Sequence, residues 1–158
     1  MSDLLASEEQ STGELHPSDP LLLIHWLSRI ADDVATEALK AVNLDITPRQ
    51  VSVLEAVAAL ELQEDARPHQ AVLVKLTHID RSTLSDIVRR LVSLGLVRRS
   101  RCRKDYRAYV VKITDEGREA LRTADNALAP SRSKLFERGS AARAVLEELH
   151  GIVKARAQ

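Results

Sequence analysis

Apolar residues recur along most of this chain at three- and four-residue intervals, the period of one buried helix face. Leu23, Trp26, Leu27, Ile30, Val34 and Ala38 form the first such stripe. Ser18 or Asp19 can cap it, with Pro20 in the first turn where a missing N–H costs nothing, and a helix to about Val42 is predicted. Thr47 and Pro48 repeat the start signal ahead of Val51, Leu54, Val57, Ala58 and Leu60. The polar stretch Gln63 to Pro68 interrupts the pattern. A short helix from about His69 to Leu76 and a turn at Thr77 to Ile79 follow. Asp80 is then placed to accept from the N–H of Ser82 or Thr83, opening a strongly two-faced segment from Arg81 to Leu94. Leu84, Ile87, Val88 and Leu91 share one side, while Arg81, Ser82, Ser85, Asp86, Arg89 and Arg90 occupy the other. Gly95 suits a left-handed stop, and Leu96 after it can touch Leu91.

Beyond Gly95 the period changes from helical to extended. Leu96 to Ser100 and Arg107 to Ile113 read as two strands, with Tyr109, Val111 and Ile113 alternating in the second, joined by a tip from Arg101 to Tyr106. Thr114 can cap the next helix, with Asp115 and Glu116 favourably set against its macrodipole. Ala120, Leu121, Ala124 and Leu128 carry that helix to Pro130, which is expected to bend or break it. A last helix from about Ser140 shows Ala144, Val145, Leu149, Ile152 and Val153.

A short helix, a turn, a longer two-faced helix and a hairpin in succession make a winged helix-turn-helix. The fold class is therefore mainly α with a small β-hairpin wing. Residues 1–17 read as a flexible arm, 46–113 as the winged helix-turn-helix DNA-binding region, and 18–45 with 114–158 as a helical dimerisation region. The stripes of the first and last helices have no evident partner within such a unit. A second copy, meeting the first across an isologous interface, would cover them.

Composition narrows the function classes. At 158 residues, 44% hydrophobic and 29% charged, the chain suits one ordinary domain with a core of its own. Its single cysteine, Cys102, excludes an internal disulfide and offers no CxxC pair or structural zinc site. The polar, acidic start from Met1 to Pro17 does not resemble a secretory signal, and no run approaches the roughly 20 apolar residues of a membrane span, so a cytoplasmic location is expected. One Phe, two Tyr and one Trp make a poor stacking platform for single strands.

The zero net charge hides a polar layout. Residues 1–66 hold three basic against thirteen acidic side chains, a net of minus ten, whereas residues 81–107 hold nine basic against two acidic, a net of plus seven. Charge gathered in this way points to a polyanion; the plainer alternative is a solvated face or an internal partner for the acidic half. Placement on a two-faced helix and a hairpin favours duplex DNA. A major groove roughly 12 Å wide admits one helix, whose short hydroxyls and guanidinium groups reach base edges. Ser82, Thr83 and Ser85 are such hydroxyls near the helix start, and Arg81, Arg89 and Arg90 can pair a guanine edge or clamp phosphates. The hairpin carries six basic residues in the ten from Arg98 to Arg107, among them Arg101, Arg103, Lys104 and Arg107, which suits the negative potential of a minor groove. No nucleophile and base pair, glycine-rich phosphate loop or metal-ligand spacing accompanies them, so neither an enzyme nor a cofactor is expected. The alternative reading is a winged-helix protein–protein interaction module without DNA binding.

The run Asp105-Tyr106-Arg107-Ala108-Tyr109-Val110-Val111-Lys112-Ile113-Thr114-Asp115-Glu116-Gly117 resembles the wing signature DxRxxxVxLTxxG of MarR-type transcriptional regulators, with Ile113 in place of the usual leucine. Asp80-Arg81-Ser82-Thr83-Leu84, with Leu91 and Gly95-Leu96-Val97, is similar to that family's recognition helix. The resemblance runs from about Asp19 to the C-terminus. It implies a homodimer whose recognition helices enter major grooves of a pseudo-palindromic operator, with Arg107 entering the minor groove and Asp105 holding the wing in shape. It further implies a ligand-responsive repressor. His25, Trp26 and Arg29, on adjoining positions of the first helix, then become candidates to bind a small aromatic or phenolic anion; packing for Trp26 and intersubunit ion pairs between Arg29 and Asp32 or Asp33 are the plainer reading. Cys102, among cations that favour its thiolate, could serve as an oxidant sensor, but the plainer assignment is an ordinary wing residue.

Overall fold

The capping and periodicity signals resolve into six helices and one hairpin in a computed structural model, which describes residues 19–62, 69–101, 109–136 and 140–156. The elements are α1 (Pro20–Ala41), α2 (Pro48–Glu61), α3 (Gln70–Thr77), α4 (Arg81–Ser93), β1 (Val97–Arg101), β2 (Tyr109–Ile113), α5 (Asp115–Phe136) and α6 (Ser140–Arg156). The chain divides into two compact units, 1–33 and 34–158. In the first, Asp19 caps the start of α1 by accepting from the N–H of Leu21 at 2.7 Å, and residues 21–30 are all exposed.

The second unit holds the core. Thr47 and Gln50 form a reciprocal capping box at the start of α2: the Thr47 hydroxyl oxygen accepts from the Gln50 N–H at 3.2 Å and the Gln50 side chain accepts from the Thr47 N–H at 3.0 Å. Val51, Val53, Leu54, Ala56, Val57 and Leu60 are all buried, a wider band than the predicted stripe. The reason is position: α2 is covered by α3, α4, α5 and β2 at once, so more than one of its faces faces protein. Leu39, Leu73, Leu84, Val88, Leu91, Val97 and Val111 complete the centre of the cluster, each at 2% exposure or less.

β1 and β2 pair antiparallel with Val97 opposite Ile113 and Arg101 opposite Tyr109. Val97, Val111 and Ile113 turn inward, while Arg98, Arg99, Arg101 and Lys112 stay exposed. One contact was not legible in the sequence: His69, just before α3, bridges to Val110 on β2.

Of the bend or break expected at Pro130, the break does not occur, for α5 continues to Phe136. Pro130 and its neighbours Ala129 and Arg132 are exposed, so the ring meets solvent on that side. Arg132 donates to both the backbone carbonyl and the carboxylate of Asp125, at 2.8 and 2.7 Å, an additional tie across the turn that contains Pro130. Ile152 and Val153 of α6 are about half exposed, at 55% and 52%. None of the described helices is long and apolar enough to cross a membrane.

Candidate nucleic-acid interface

The N-terminus of α4 is set by chemistry within four residues. Asp80 lies in extended backbone, and its carboxylate accepts from the Thr83 N–H at 2.9 Å. Hydrogen bonds from Thr83, its side chain first and its backbone second, hold the Asp80 carboxyl below its ordinary pKa. A carboxylate whose folded pKa is depressed contributes stability above its unfolded value and loses that contribution as pH falls through the folded one. The difference in Tm between the wild type and Asp80→Ala should therefore be constant near neutrality and shrink as pH drops through and below the ordinary carboxylate range. A difference that does not change on acidification would show that the charge plays no part in the cap.

The C-terminus of α4 is closed by a left-handed glycine. Gly95 has φ of 74°, its N–H donates to the Val92 carbonyl at 3.0 Å, and the Leu96 N–H donates to the Leu91 carbonyl at 2.9 Å. These two bonds are the Schellman pattern, with Leu91 and Leu96 both turned toward the core. Between the two stops, Leu84, Ile87, Val88 and Leu91 are buried, and Arg81, Ser82, Arg89 and Arg90 are exposed. Thr83 and Ser85 are half-buried.

The wing root is fastened to the end of α4 through Thr114, the one buried polar residue among those described. Its hydroxyl donates to the Gly95 carbonyl at 2.7 Å and accepts from the Gly117 N–H at 3.0 Å, while its own N–H donates to the Leu96 carbonyl at 3.1 Å. Glu61, the last residue of α2, accepts from the Ile113 N–H at 3.0 Å and from Arg118 at 2.6 Å. The hairpin is thus held at one end by both α2 and α4.

Not every predicted cation is equally free. Arg89 pairs with Asp86 at 2.9 Å one turn away, with both side chains more than 60% exposed, so the pair is weak and readily exchanged. Arg90 reaches back to Asp45 in the α1–α2 turn at 2.7 Å and borders a cavity of about 440 Å³ with Lys40, Thr47 and Gln50. That partner lies 45 residues away and left no local signal. The Ser85 hydroxyl is also occupied: it donates to the Arg81 carbonyl at 2.8 Å and accepts from Gln70 Nε2 at 3.2 Å. On the hairpin, Arg101 is exposed at the end of β1, and Arg99 lies 3.7 Å over the Tyr109 ring. Arg99 and Gln70 were not singled out from the sequence. Cys102, Arg103, Lys104, Asp105 and Arg107 lie outside the described residues.

His25, Trp26 and Arg29 sit exposed on the first half of α1. Within the second unit, a groove of about 480 Å³ runs between α2 and α5, floored by Val51, Ala58, Leu121 and Leu128. Among the described residues no cluster of three or more His, Cys, Asp or Glu is arranged to hold a metal ion.

A sequence model of the MarR family matches residues 44–108. No curated protein matches the chain. Among solved structures, a cysteine-to-serine mutant of MarR from E. coli, complexed with operator DNA, is 28% identical over 84% of this chain and 91% of that one, with a TM-score of 0.70. MepR from S. aureus, in a DNA complex, is 19% identical over 88% of this chain and 99% of that one, with a TM-score of 0.74. CouR from Rhodococcus jostii, bound to p-coumaroyl-CoA, is 20% identical over 89% of this chain and 92% of that one, with a TM-score of 0.71. The last two likenesses are of fold.

Proposed function

We propose that this chain is a winged-helix transcriptional regulator of the MarR family and that it binds a pseudo-palindromic operator as a homodimer, with α4 in the major groove and the hairpin along the flanking minor groove. The observation that carries this is the division of α4: four apolar residues are fully or nearly buried, and Arg81, Ser82 and Arg89 stand on the exposed side, beside a hairpin whose outward residues are Arg98, Arg99 and Arg101. The fold supplies a rigid rod with a cationic, hydroxyl-bearing face, which is what groove reading requires. Thr83, Ser85 and Arg90 lie at the margin of that face, and Arg103, Lys104 and Arg107 would extend it along the wing, with Asp105 shaping the tip.

Dimerisation rests on the apolar residues that the monomer leaves open. Leu22, Leu23, Ile24, Trp26, Leu27 and Ile30 are each about half exposed on α1, as are Ile152 and Val153 on α6. Residues 18–45 and 114–158 would pair with their counterparts, placing two recognition helices roughly 34 to 36 Å apart, about 10 base pairs between half-site centres. Operator DNA is what the E. coli MarR structure holds. The regulator would act as a repressor in the cytoplasm, releasing its operator when a small aromatic or phenolic anion favours a dimer geometry with unsuitable spacing between heads. His25, Trp26 and Arg29 are the candidate ligands for that anion, a class to which the phenolic thioester held by CouR is related.

The test is a contrast of variants on duplexes from the DNA flanking the coding region. Ser82→Ala or Arg89→Ala should cost about 1 to 3 kcal/mol at particular base pairs and little on others. Arg107→Ala should weaken binding to all sequences alike and reduce the salt slope by about one unit. Inserting five base pairs between half-sites turns one of them to the opposite side of the duplex, and binding should fall about a hundredfold as the second head loses its hold. Uniform losses from every variant, or indifference to spacing, would remove α4 from the reading role.

A further inference from the structure

The side chain of Gln70, the first residue of α3, stands where three elements meet. Its Nε2 donates to Ser85 Oγ on α4 at 3.2 Å, and its Oε1 accepts from Arg99 Nη2 on β1 at 3.5 Å. Ser85 has one hydroxyl proton, already given to the Arg81 carbonyl at 2.8 Å, so the serine oxygen can meet Gln70 only as an acceptor. Arg99 has no acceptor at all and needs an oxygen from Gln70. A primary amide is the group that offers a donor to one and an acceptor to the other at the same time. The chain of contacts continues to β2, where Tyr109 lies under the Arg99 guanidinium at 3.7 Å, and the residue before Gln70, His69, bridges to Val110 on the same strand.

We infer that Gln70 is a positioning residue for sequence recognition, which fixes the offset between the recognition helix and the root of the wing. The inference rests on α4 and the hairpin reading DNA. Its physical basis is that bases are read in one register only, so the helix and the hairpin must arrive at their grooves with a set separation, whereas phosphate contacts tolerate many registers. Releasing Gln70 should therefore blur discrimination and leave general affinity for duplex intact. It also explains why Ser85, although near the start of α4, has less freedom to read a base than Ser82, which is exposed.

The experiment uses the full chain and two duplexes of about 30 base pairs, enough for two half-sites with flanks: one selected by the wild type from a random pool, the other a scramble of it. Gln70→Ala removes the amide at a position where alanine favours the helix, and Gln70→Asn keeps the amide but shortens its reach by one methylene. Both are expected to lower the ratio of selected to scrambled affinity by about tenfold, with scrambled binding unchanged and Tm lowered by no more than the roughly 2–4 °C that one lost intramolecular hydrogen bond costs. Gln70→Ala combined with Ser85→Ala should lose no more discrimination than the larger single loss, because the two residues act as one link. Full discrimination in Gln70→Asn, equal losses on both duplexes, or simple additivity with Ser85→Ala would each overturn the inference while leaving DNA binding in place. A wild type that enriches no duplex would instead overturn the DNA-reading function itself, and the inference with it.

Discussion

Gly117→Ala is expected to destabilise the winged unit by about 3 kcal/mol or more, among the larger effects a single methyl can produce. A Cβ at this position would meet the Leu96 carbonyl oxygen at 2.0 Å and Ile113 Cγ1 at 2.8 Å. The first of these neighbours is backbone and cannot swing aside as a side chain can. It is also the acceptor for the Thr114 N–H at 3.1 Å, so relief of the clash would pull apart the joint between the end of α4 and the end of the hairpin. Gly95 offers an internal contrast. It has φ of 74° but nothing within 4 Å of an added Cβ, so Gly95→Ala should cost only the left-handed backbone term of about 1 kcal/mol. Thermal unfolding monitored by circular dichroism measures both. A fall of about 10 °C for Gly117→Ala and a much smaller one for Gly95→Ala are expected. Equal shifts would mean that the close approach at Gly117 does not govern the joint.

The other large effect is on binding. Raising salt from 50 to 200 mM should weaken the wild type on duplex DNA on the order of a thousandfold, the consequence of releasing counterions from six to ten phosphates. The protein as a whole has 23 basic and 23 acidic side chains, so net charge supplies no attraction. The slope must come from the local excess over residues 81–107, which the proposed dimer would present twice. Arg89, Arg98 and Arg101 are exposed and can contribute; among the described residues the competing contact of these three is the exposed Arg89–Asp86 pair at 2.9 Å. Fluorescence anisotropy across that salt range reads the slope directly. A flat response would point to a protein partner on the winged surface in place of DNA.

Much of this site could be read before any coordinates. The Asp80 cap, the buried set Leu84, Ile87, Val88 and Leu91, and the glycine stop at Gly95 all appear where their residue types require them. Each is decided within about five residues by capping chemistry or by the helical period, so a linear reading contains the needed information. Pro130 shows the limit of that method. Proline predicts a bend or a break from its own chemistry, and the local order of residues does not say which; α5 runs through Pro130 to Phe136, with Pro130 itself exposed.

The amino-acid order by itself determined the helices and hairpin, the apolar side of α4, and the concentration of cations on α4 and the wing, because those follow from neighbours in the chain. Only the tertiary structure decided which polar groups are already engaged. Arg90 with Asp45, Gln70 with Ser85 and Arg99, and Glu61 with Ile113 join residues 15 to 52 positions apart. The same holds for Gly117, whose necessity comes from the Leu96 carbonyl in the turn between α4 and β1, 21 positions back in the chain. Such partners are brought together by packing around α2, and nothing in the local order of residues encodes which side chain will face which across that core.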